Sequence, residues 1–581
     1  MGTMPKKLVK SAGFFLIAVA VLLLGQITQS NAALKAKVRF TTDQARWTAE
    51  QPVSIIPKAT ASAHIDLDTS STMQTMDGFG GCFNELGWQA IQKLSATGAD
   101  SVMRSLFDTV TGCKFNICRM PIGASDYCLA KVPPGATADA HSVDWYSLNE
   151  NTGDTLMTKM SVARDSAYLL QYIKAAMKYK PNLKMWGSPW SPPLWMKTSG
   201  AYNSGGLTWT PTICNAYALY LEKAVQMYQN QGINFYALAF QNESTQLPVY
   251  PGCQWTQLQH RDFIKLYLGP KFTNDNINCE IWTPTMNCSD ISFFSTMLND
   301  PLCASFIKTI CFQWAGKAVI DQINTLYPNG QFKLYQTEQE CGQGETDAAN
   351  LWNYAVTSVF FNLKYYIDRR ANAYMQWNMV LGPGGYSSWG WPQNAMINID
   401  TVTRQVQYNP QYYVVKHFSY YVMPNAKKLT YNGTYTDNVS FVNPDGSLVA
   451  VLSNSSTAQT PVNITFGSSM ITVSMPPNSF STAVIYDSSA NAVLYKPNTQ
   501  AENSSLLKVT RNGNDIVFTP SNSHSFDLQV LSINGVVKAS FSSQKGGDCK
   551  IRANELPSGM YVLKGLINGR RYMSTLPILT N

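Results

Sequence analysis

Short apolar runs alternate with helical patterns over most of the chain, from about residue 78 to residue 422. Eight of these runs have the length and apolar character of strands buried on both faces. Helical segments such as 166–179 and 214–230 lie between them, and this alternation is typical of βα units and a parallel sheet. The predicted strands are 78–83, 116–123, 184–189, 234–241, 279–285, 309–314, 333–337 and 373–379.

This order predicts an α/β fold, a (β/α)8 TIM barrel over residues 77–422, because eight βα units with long βα loops fit that architecture. An open doubly wound sheet would require a G-x-G-x-x-G phosphate loop after its first strand. The first predicted strand carries Gly78-Phe-Gly-Gly81 instead, in which the glycines allow a close approach of the backbone.

Both flanks of the barrel segment alternate apolar and polar residues, the pattern of half-buried strands. Residues 33–76 contain Lys37-Val-Arg-Phe40, and residues 423–487 contain Leu448-Val-Ala-Val-Leu452. We therefore predict that the two flanks join in one discontinuous β-sandwich beside the barrel. The polar residues 488–505 predict a linker, and residues 506–581 predict a small all-β module.

The N-terminus has the pattern of a cleaved secretory signal peptide, predicted over residues 1–32. Lys6, Lys7 and Lys10 precede an apolar run over 12–24, and Ser30-Asn-Ala32 supplies small residues for cleavage. The run is too short for a comfortable transmembrane span. We therefore expect an exported protein without a membrane span, secreted or located at the surface or in the periplasm of a bacterial cell.

Composition and charge argue against several other classes of protein. The chain of 581 residues has a net charge of +8, from 44 basic and 36 acidic residues, and lacks the clustered basic stripe of a nucleic-acid-binding protein. Its 5 histidines and 12 cysteines have no metal-ligand spacing, so neither a metal nor a cofactor is expected. Cys113 with Cys128, or Cys279 with Cys288, could pair, but cysteines inside apolar runs are typical of small buried hydrophobic residues.

Carboxylates follow two of the predicted strands, where a barrel places its chemistry. Glu243 ends the fourth strand and Glu338 ends the seventh, with Glu340 two residues further on. Because strand side chains alternate, Glu338 and Glu340 share a face, and periodicity does not choose between them. Two carboxylates across one mouth are what retaining glycoside hydrolysis requires, since one protonates the leaving oxygen and the other attacks the anomeric carbon.

Six stretches carry a family resemblance. They are Met76-Asp-Gly-Phe-Gly-Gly-Cys-Phe-Asn-Glu85, Cys118-Arg-Met-Pro-Ile-Gly-Ala-Ser-Asp126, Gly187-Ser-Pro-Trp-Ser-Pro-Pro-Leu-Trp-Met-Lys197, Phe240-Gln-Asn-Glu243, Tyr335-Gln-Thr-Glu338 and Met375-Gln-Trp-Asn378. No single stretch is decisive, but all six follow the order of glycoside hydrolase family 30. Over about residues 40–487 the chain resembles that family, which includes the glucosylceramidases and the microbial endo-β-1,6-glucanases.

The resemblance implies catalytic roles. Glu243 resembles the family's acid/base, and Glu338, which directly follows a threonine, resembles its nucleophile. Glu340 is then a structural or loop residue. Asn242 resembles the residue that binds the sugar 2-OH, and Arg119 resembles the buried guanidinium that keeps the nucleophile ionised through charge-assisted hydrogen bonds.

The resemblance also implies a sugar-binding wall. Asp126 and Trp190 resemble the groups that bind the distal sugar hydroxyls, and Trp377 resembles the platform beneath the sugar at subsite −1. Judged from the residues alone, core packing of a rigid turn is the first interpretation of Trp190. Trp377 is interpreted equally as barrel filler, and Asp126 equally as a loop cap. Gln313 and Trp314 stand where glucosylceramidases have His-Trp, so a neutral amide replaces an imidazole.

Two further departures concern the substrate. Ala315 and Ser244 stand where the glucosylceramidase pattern has a tyrosine and a proline. These departures weaken a glucosylceramide assignment and favour a microbial polysaccharide enzyme. The aromatic loop Tyr386-Ser-Ser-Trp-Gly-Trp391 is interpreted either as a sugar-stacking rim, because exposed tryptophan needs a reason, or as a folded-back loop.

The implied function is an exported retaining β-glycosidase that hydrolyses β-glucosidic linkages, with β-1,6-glucan as the first choice of substrate. One alternative is a glucosylceramidase or a broader β-glucosidase or β-xylosidase. Another is a carbohydrate-binding surface protein without catalysis, which is disfavoured because Glu243, Glu338 and Arg119 are all present.

The C-terminal module resembles the sorting domain of bacterial type IX secretion. The resemblance lies in Leu531-Ser-Ile-Asn-Gly-Val-Val537 and Leu556-Pro-Ser-Gly-Met-Tyr-Val562, while the terminus Leu576-Pro-Ile-Leu-Thr-Asn581 lacks the usual basic ending. Secretion machinery is therefore an expected partner of this module. The other interpretation is an accessory β-sandwich without a transport role.

Overall fold

The computed structural model describes residues 34–58, 63–129, 145–246, 248–328, 330–339, 348–488, 507–512, 515–520, 526–532, 537–543, 548–552, 555–556, 559–567 and 570–578. The chain divides after residue 489 into two compact units, and each is described by itself. The predicted signal peptide and nearly all of the predicted linker lie outside the described residues.

A closed barrel of eight parallel strands forms the centre of the larger unit. Five strands precede it: β1 (Leu34–Thr41), β2 (Gln51–Val53), β3 (Ile56–Pro57), β4 (Ile65–Asp66) and β5 (Thr72–Thr75). The barrel strands are β6 (Gly78–Cys82), β7 (Ile117–Ile122), β8 (Lys184–Pro189), β9 (Phe235–Ala239), β10 (Glu280–Trp282), β11 (Ile307–Gln313), β12 (Lys333–Gln339) and β13 (Ala373–Asn378). Each overlaps one of the eight predicted strands, so the predicted TIM barrel is confirmed.

Helices connect the barrel strands. The α-helices are α1 (Glu85–Ile91), α2 (Ala96–Phe107), α3 (Ala163–Ala167), α4 (Leu169–Met177), α5 (Pro211–Asn230), α6 (Gln257–Phe263), α7 (Gly269–Asn274), α8 (Ser292–Leu298), α9 (Pro301–Phe306), α10 (Ile320–Leu326), α11 (Ala348–Tyr354), α12 (Phe360–Asp368) and α13 (Pro410–Ser419). Local sequence starts the longest of them, α5. Thr210 caps its N-terminus, because its hydroxyl accepts a hydrogen bond from the N–H of Ile213, and Pro211 is the first helical residue. Two π-helical turns, Ile264–Leu268 and Ala355–Val359, continue α6 and α11.

Strand β10 is shorter than predicted. The apolar run extends over 279–285, but the strand ends at Trp282. Pro284 has no N–H to give to a neighbouring strand, so the ladder cannot continue through it. Beyond the proline, Thr285 forms a single parallel bridge with Asn242, which places the start of the loop after β10 beside the start of the loop after β9.

Aromatic and small side chains alternate in the barrel interior. Trp282 lies between Trp186 and Tyr335, with ring centroids at 5.1 and 4.9 Å, and none of the three side chains reaches solvent. Small residues on neighbouring strands make room for the large rings, as Ala237, Ala239 and Ala373 belong to the same cluster. This layer closes the barrel below the mouth, so any chemistry must take place above it.

The β-sandwich draws its strands from both flanks of the barrel, as predicted. After β14 (Val380–Leu381), β15 (Ile397–Ile399) and β16 (Val406–Tyr408) come β17 (Lys427–Leu429), β18 (Asn438–Val442), β19 (Leu448–Asn454), β20 (Thr460–Phe466), β21 (Ser469–Met475) and β22 (Ser479–Asp487). One sheet has the order β2-β1-β22-β19-β18-β17-β5, and the other has the order β3-β21-β20-β4. The pairing of β1 with β22 from Leu34 opposite Asp487 to Thr41 opposite Phe480 makes the domain discontinuous.

His417 joins the barrel to the sandwich. Its two ring nitrogens lie 2.8 Å from the hydroxyl of Thr482 and 2.9 Å from that of Thr41. Burial lowers the pKa of His417 to about 3, so the ring is neutral and one nitrogen donates while the other accepts. The helix α13 is thereby attached to both strands of the β1–β22 pair.

The smaller unit is all β, as predicted for the C-terminal module. Its strands are β23 (Leu507–Asn512), β24 (Asp515–Pro520), β25 (Phe526–Ser532), β26 (Val537–Ser543), β27 (Cys549–Arg552), β28 (Gly559–Ile567) and β29 (Arg570–Ile578). They form sheets of order β23-β24-β27 and β26-β25-β28-β29 around a core that includes Phe518, Leu528 and Val530.

The cysteines described by the structure are free thiols. Cys113 and Cys128 are buried without a disulfide, and Cys279 and Cys288 are likewise unpaired, so the structure contains neither suggested pair. Burial raises the pKa of Cys113 to about 12, as expected of a small residue packed in an apolar core. In the described parts of the chain, the helices do not combine the length and apolar character that a bilayer span requires.

The barrel layer generates a stability prediction. We expect Trp282→Ala to lower the free energy of unfolding of the larger unit by about 3–5 kcal/mol, because the buried ring leaves a cavity among its aromatic neighbours. Trp209, which is 37% exposed, is the matched control, and its substitution by alanine should cost about 1 kcal/mol or less. Urea unfolding followed by circular dichroism measures both, and equal losses would contradict the central place of this layer.

Candidate active site

The predicted site residues meet at the carboxyl ends of the barrel strands. Glu338 lies on β12, Gln313 ends β11, and Arg119 and Trp377 lie on β7 and β13. The remaining predicted residues, Asp126, Trp190, Asn242, Glu243 and Trp314, lie in the segments that directly follow β7, β8, β9 and β11. Glu340, the alternative to Glu338, lies outside the described residues.

Glu338 receives two donors on one oxygen. Arg119 Nη1 donates a charge-assisted hydrogen bond to Oε2, and Gln313 Nε2 donates to the same atom at 3.0 Å. Burial raises the pKa of Glu338, Arg119 lowers it, and the neighbouring charges of Glu243 and Asp126 raise it again. The net direction is upward, because the charges of two further carboxyl groups add to the cost of burying this one.

Arg119 is a fully buried cation whose donors are largely satisfied. Its Nη2 donates to Asn242 Oδ1 at 2.6 Å and to Ser188 Oγ at 2.8 Å, and its Nε donates to the same Ser188 hydroxyl at 3.1 Å. The guanidinium also lies 4.4 Å from the ring centroid of Trp190 and 5.0 Å from that of Trp186. An unpaired buried charge would be too costly, so these contacts fix Arg119 beside Glu338.

Asn242 lies where these hydrogen bonds converge. Its Oδ1 accepts from Arg119, from Gln313 Nε2 at 2.7 Å and from Thr285 Oγ1 at 2.9 Å. Three donors on one atom determine which end of the amide is oxygen. The Nδ2 group therefore lies on the side of Glu243, 3.5 Å from its Oε2.

Glu243 has two neutral donors and an uncommon backbone conformation. Tyr250 donates to its Oε2 at 2.7 Å, and Asn287 Nδ2 donates to its Oε1 at 2.7 Å. Its φ of +42° lies in the left-handed region that non-glycine residues seldom adopt, and its N–H donates to Thr285 O at 3.0 Å. Such local strain is concentrated at functional sites, where the surrounding contacts maintain it.

Asp126 is a buried carboxyl group with unused hydrogen-bonding capacity. Its Oδ1 has no hydrogen-bond partner among the described residues, and the side chain of Trp377 lies beside the carboxyl group and lowers its pKa. Burial and the charge of Glu243 raise the pKa of Asp126 to about 7. The indole of Trp377 stacks on that of Trp190 at 5.3 Å with an angle of 25°. Asp126 is therefore an acceptor placed against an aromatic wall.

The electrostatic balance of the site follows from these contacts. Three carboxyl groups, those of Asp126, Glu243 and Glu338, are buried beside the one guanidinium of Arg119. Three negative charges exceed one positive charge, so the site binds a proton more firmly than separate exposed carboxyl groups would. A site that retains one proton among several carboxyl groups is equipped for acid catalysis near neutral pH.

Sequence reasoning missed four contacting residues. Ser188 lies inside one of the six stretches and could have been identified there, as a hydroxyl two residues before Trp190. Thr285 ends the fifth predicted strand and Asn287 follows it, and polar residues at a strand end were a usable signal. Tyr250 lies in a loop seven residues after Glu243, and its contact depends on the path of that loop, for which the sequence has no signal.

The fold and the site together define a class of enzyme. A (β/α)8 barrel whose mouth contains two buried carboxyl groups, one on an arginine and one on neutral donors, is the arrangement of a glycoside hydrolase. Residues 76–422 match the profile described as the glycosyl hydrolase family 30 TIM-barrel domain, and residues 427–483 match the glycosyl hydrolase family 30 beta sandwich domain. The chain belongs to glycoside hydrolase family 30.

Relatives with different substrates resemble the chain to a similar degree. The lysosomal acid glucosylceramidase of Mus musculus is 24% identical over 428 residues, which cover 69% of this chain and 79% of the relative. The endo-1,6-beta-D-glucanase neg1 of Aspergillus fumigatus is 25% identical over 413 residues, which cover 67% of this chain and 80% of the relative. The crystal structure of SrfJ from Salmonella typhimurium has the same fold, with a TM-score of 0.70 at 24% identity over 78% of this chain and 99% of that one.

The buried carboxyl of Asp126 generates a pH prediction. Its pKa of about 7 in the folded protein exceeds the value of about 3.9 in an unfolded chain, so its contribution to stability is present below pH 4 and is lost as the pH rises to 7. We expect Asp126→Asn to remove this loss of stability, which amounts to about 2–4 kcal/mol in the free energy of unfolding between pH 4 and pH 7.

Urea midpoints of the larger unit between pH 4 and pH 8 measure this effect. Asp321→Asn, at an exposed carboxylate, is the control and should retain the pH dependence of the unaltered protein. If Asp126→Asn also retained it, another group would be responsible for the titration.

Proposed function

We propose that the protein is a retaining β-glycosidase in which Glu338 is the nucleophile and Glu243 is the acid/base. The observation that carries this proposal is the difference between the two carboxyl groups. Glu338 is paired with the cation Arg119, which opposes the upward effect of burial and of the neighbouring carboxyl groups on its pKa and so favours the ionised form needed for attack. The side-chain donors to Glu243 among the described residues are all neutral. They are the hydroxyl of Tyr250 and the amides of Asn287 and Asn242.

The reaction proceeds in two displacements. In the first, a carboxylate oxygen of Glu338 forms a bond to the anomeric carbon while the glycosidic bond breaks and the leaving oxygen takes the proton of Glu243. In the second, Glu243 accepts a proton from water, the water oxygen bonds to the anomeric carbon, and the ester to Glu338 breaks. Because both donors to Glu338 approach Oε2, we assign the attack to Oε1.

The neighbouring residues support both steps. Arg119 and Gln313 orient the nucleophile, and Asn242 Nδ2 lies on the side from which it can donate to the sugar 2-OH. That contact strengthens as the transition state gains oxocarbenium character. Because Gln313 is an amide, its contact with Glu338 keeps the same protonation over the working pH range, unlike a histidine at this position.

For the substrate we propose β-1,6-linked glucan, with glucosylceramide as the second candidate. The relative from Aspergillus fumigatus is named for the first activity and the mouse relative for the second, at almost equal identity. The amide of Gln313 and the absent tyrosine at Ala315 favour the glucan, since both depart from the glucosylceramidase pattern. Broader β-glucosidase or β-xylosidase activity, and carbohydrate binding without turnover, are further outcomes that the experiments below distinguish.

We also propose that the protein works outside the cytoplasm. The support is the lysine-flanked apolar run over 12–24 and the small residues at Ser30-Asn-Ala32. A sorting role for residues 506–581 rests on their resemblance to the type IX module and on their separation as an independent β unit.

The mechanism predicts different behaviour for the two carboxyl variants. Glu338→Ala should lose essentially all hydrolysis, by about five orders of magnitude or more, because no covalent step remains. Glu243→Ala should lose most activity on poor leaving groups and retain much of it on 2,4-dinitrophenyl β-glucoside, whose leaving group needs no proton. Steady-state kinetics on both substrates measures this, and comparable residual activity in Glu338→Ala would contradict the assigned nucleophile.

The substrate proposal predicts a pattern of products. Incubation with β-1,6-glucan should release β-1,6-linked oligomers or glucose, whereas β-1,3-glucan, xylan and glucosylceramide should release much less. Chromatography of the four parallel reactions measures this. Release from another substrate alone would retain the mechanism and change the specificity. Binding without release from any of the four would favour the non-catalytic alternative.

A further inference from the structure

Four aromatic rings form a continuous stacked row at the barrel mouth. Tyr250 stacks on Trp389 at 5.8 Å, Trp389 on Trp391 at 5.7 Å, and Trp391 on Trp314 at 6.2 Å, with angles of 27°, 20° and 5°. The rings come from loops that follow three different strands, β9, β13 and β11. Near-parallel planes from three separate loops make one surface, which we call the aromatic row.

The loop that carries the two central rings is fixed in place. Ser388 donates to the backbone oxygen of Asp126 through both its N–H and its hydroxyl, each at 2.8 Å. Within the loop, Ser387 N–H donates to Trp391 O at 2.8 Å, and Trp391 N–H donates to Ser387 Oγ at 2.9 Å. Gly385 has a φ of +63°, and a Cβ there would lie 1.6 Å from Gln393 O. The aromatic row is therefore preorganised before any ligand binds.

One end of the aromatic row contacts Glu243, and the other end adjoins in the chain a residue that donates to Glu338. Tyr250 donates to Glu243, the proposed acid, and Trp314 directly follows Gln313, which donates to Glu338. The leaving group departs on the side of the acid, so a surface that begins at Tyr250 lies next to the leaving-group side of the scissile bond.

The chemistry of the aromatic row fits a sugar better than a lipid chain. All four rings are partly exposed, and flat partly exposed rings stack on the C–H faces of pyranoses. The buried indole Nε1 groups of Trp314 and Trp389 have no acceptor among the described residues, so the row has two unused polar donors beside its exposed faces.

We propose that Tyr250, Trp389, Trp391 and Trp314 bind the saccharide residues of the leaving group, and that they make an oligosaccharide or polysaccharide the preferred substrate. This inference rests on the proposed function, since it takes Glu243 to be the acid. It assigns to the aromatic loop the selection of the leaving group, separately from the recognition of the sugar whose bond is broken.

The test compares leaving groups of different size on the full-length protein. Trp389→Ala and Trp391→Ala are measured on β-1,6-linked glucose oligomers, on octyl β-glucoside and on β-glucosyl fluoride, whose leaving group is a single atom. We expect kcat/KM to fall by about ten-fold or more on the oligomers and by less than about two-fold on the fluoride. Tyr431→Ala, at an exposed tyrosine of the sandwich, is the control and should leave kcat/KM unchanged on both the oligomers and the fluoride.

Other outcomes would overturn the proposal. Equal losses on the fluoride and the oligomers would mean that the aromatic row only supports the architecture of the site. Unchanged kinetics on the oligomers would remove any role in binding them, and a larger loss on octyl β-glucoside would mean a lipid leaving group. The variants Trp389→Phe and Trp391→Phe, which retain a ring, should show a smaller loss in the same direction if the alanine variants do not fold.

Measurements on the unaltered protein distinguish a failure of the aromatic-row proposal from a failure of the proposed function. Hydrolysis of the fluoride without hydrolysis of the oligomers would retain the proposed chemistry and overturn the saccharide leaving group. If neither substrate were hydrolysed, the proposed function itself would fail. Hydrolysis of both, with the selective loss described above, is the result that supports the aromatic row as a binding surface.

Discussion

The buried guanidinium of Arg119 is the interaction on which the rest of the site depends. It lies against the indole of Trp190 and donates to Glu338, Asn242 and Ser188, so it links strands β7, β8, β12 and the segment after β9. A cation without exposure to water is tolerated only where such partners surround it. The same contacts that stabilise Arg119 also fix the side chains of Glu338 and Asn242, to which we assign roles in the proposed reaction.

The two carboxyl groups are made different by their neighbours. Glu338 lies on the cation, while Glu243 is set in a left-handed turn against Tyr250, Asn287 and Asn242. We propose that these different surroundings give two chemically identical side chains the roles of nucleophile and proton donor. The aromatic loop is connected to this site through Tyr250. Trp389 of the loop stacks on Tyr250, which donates to Glu243, so the surface that we assign to the leaving group reaches the proposed acid.

The fold was predictable because its signals are local and repeated. Eight apolar runs separated by helical patterns define a (β/α)8 barrel, and alternation on both flanks predicts a discontinuous sandwich. The structure departs from the prediction where one residue interrupts the pattern, as Pro284 does by ending β10 early. Neither of the two cysteine pairs that the sequence left possible forms a disulfide, because sequence proximity gives no information on whether two thiols approach each other or are separately buried in the core.

By itself, the sequence determined the barrel, its sandwich and the two strand ends that carry Glu243 and Glu338, since periodicity and strand order are properties of the chain. It left Glu338 and Glu340 equivalent by alternation, and only the family resemblance distinguished them. The tertiary structure decided which polar groups surround the carboxyl groups, since it brought Tyr250 and Asn287 to Glu243 and Thr285 to Asn242. These contacts depend on the paths of the loops after β9 and β10, and those paths depend on packing across the whole mouth rather than on any local pattern.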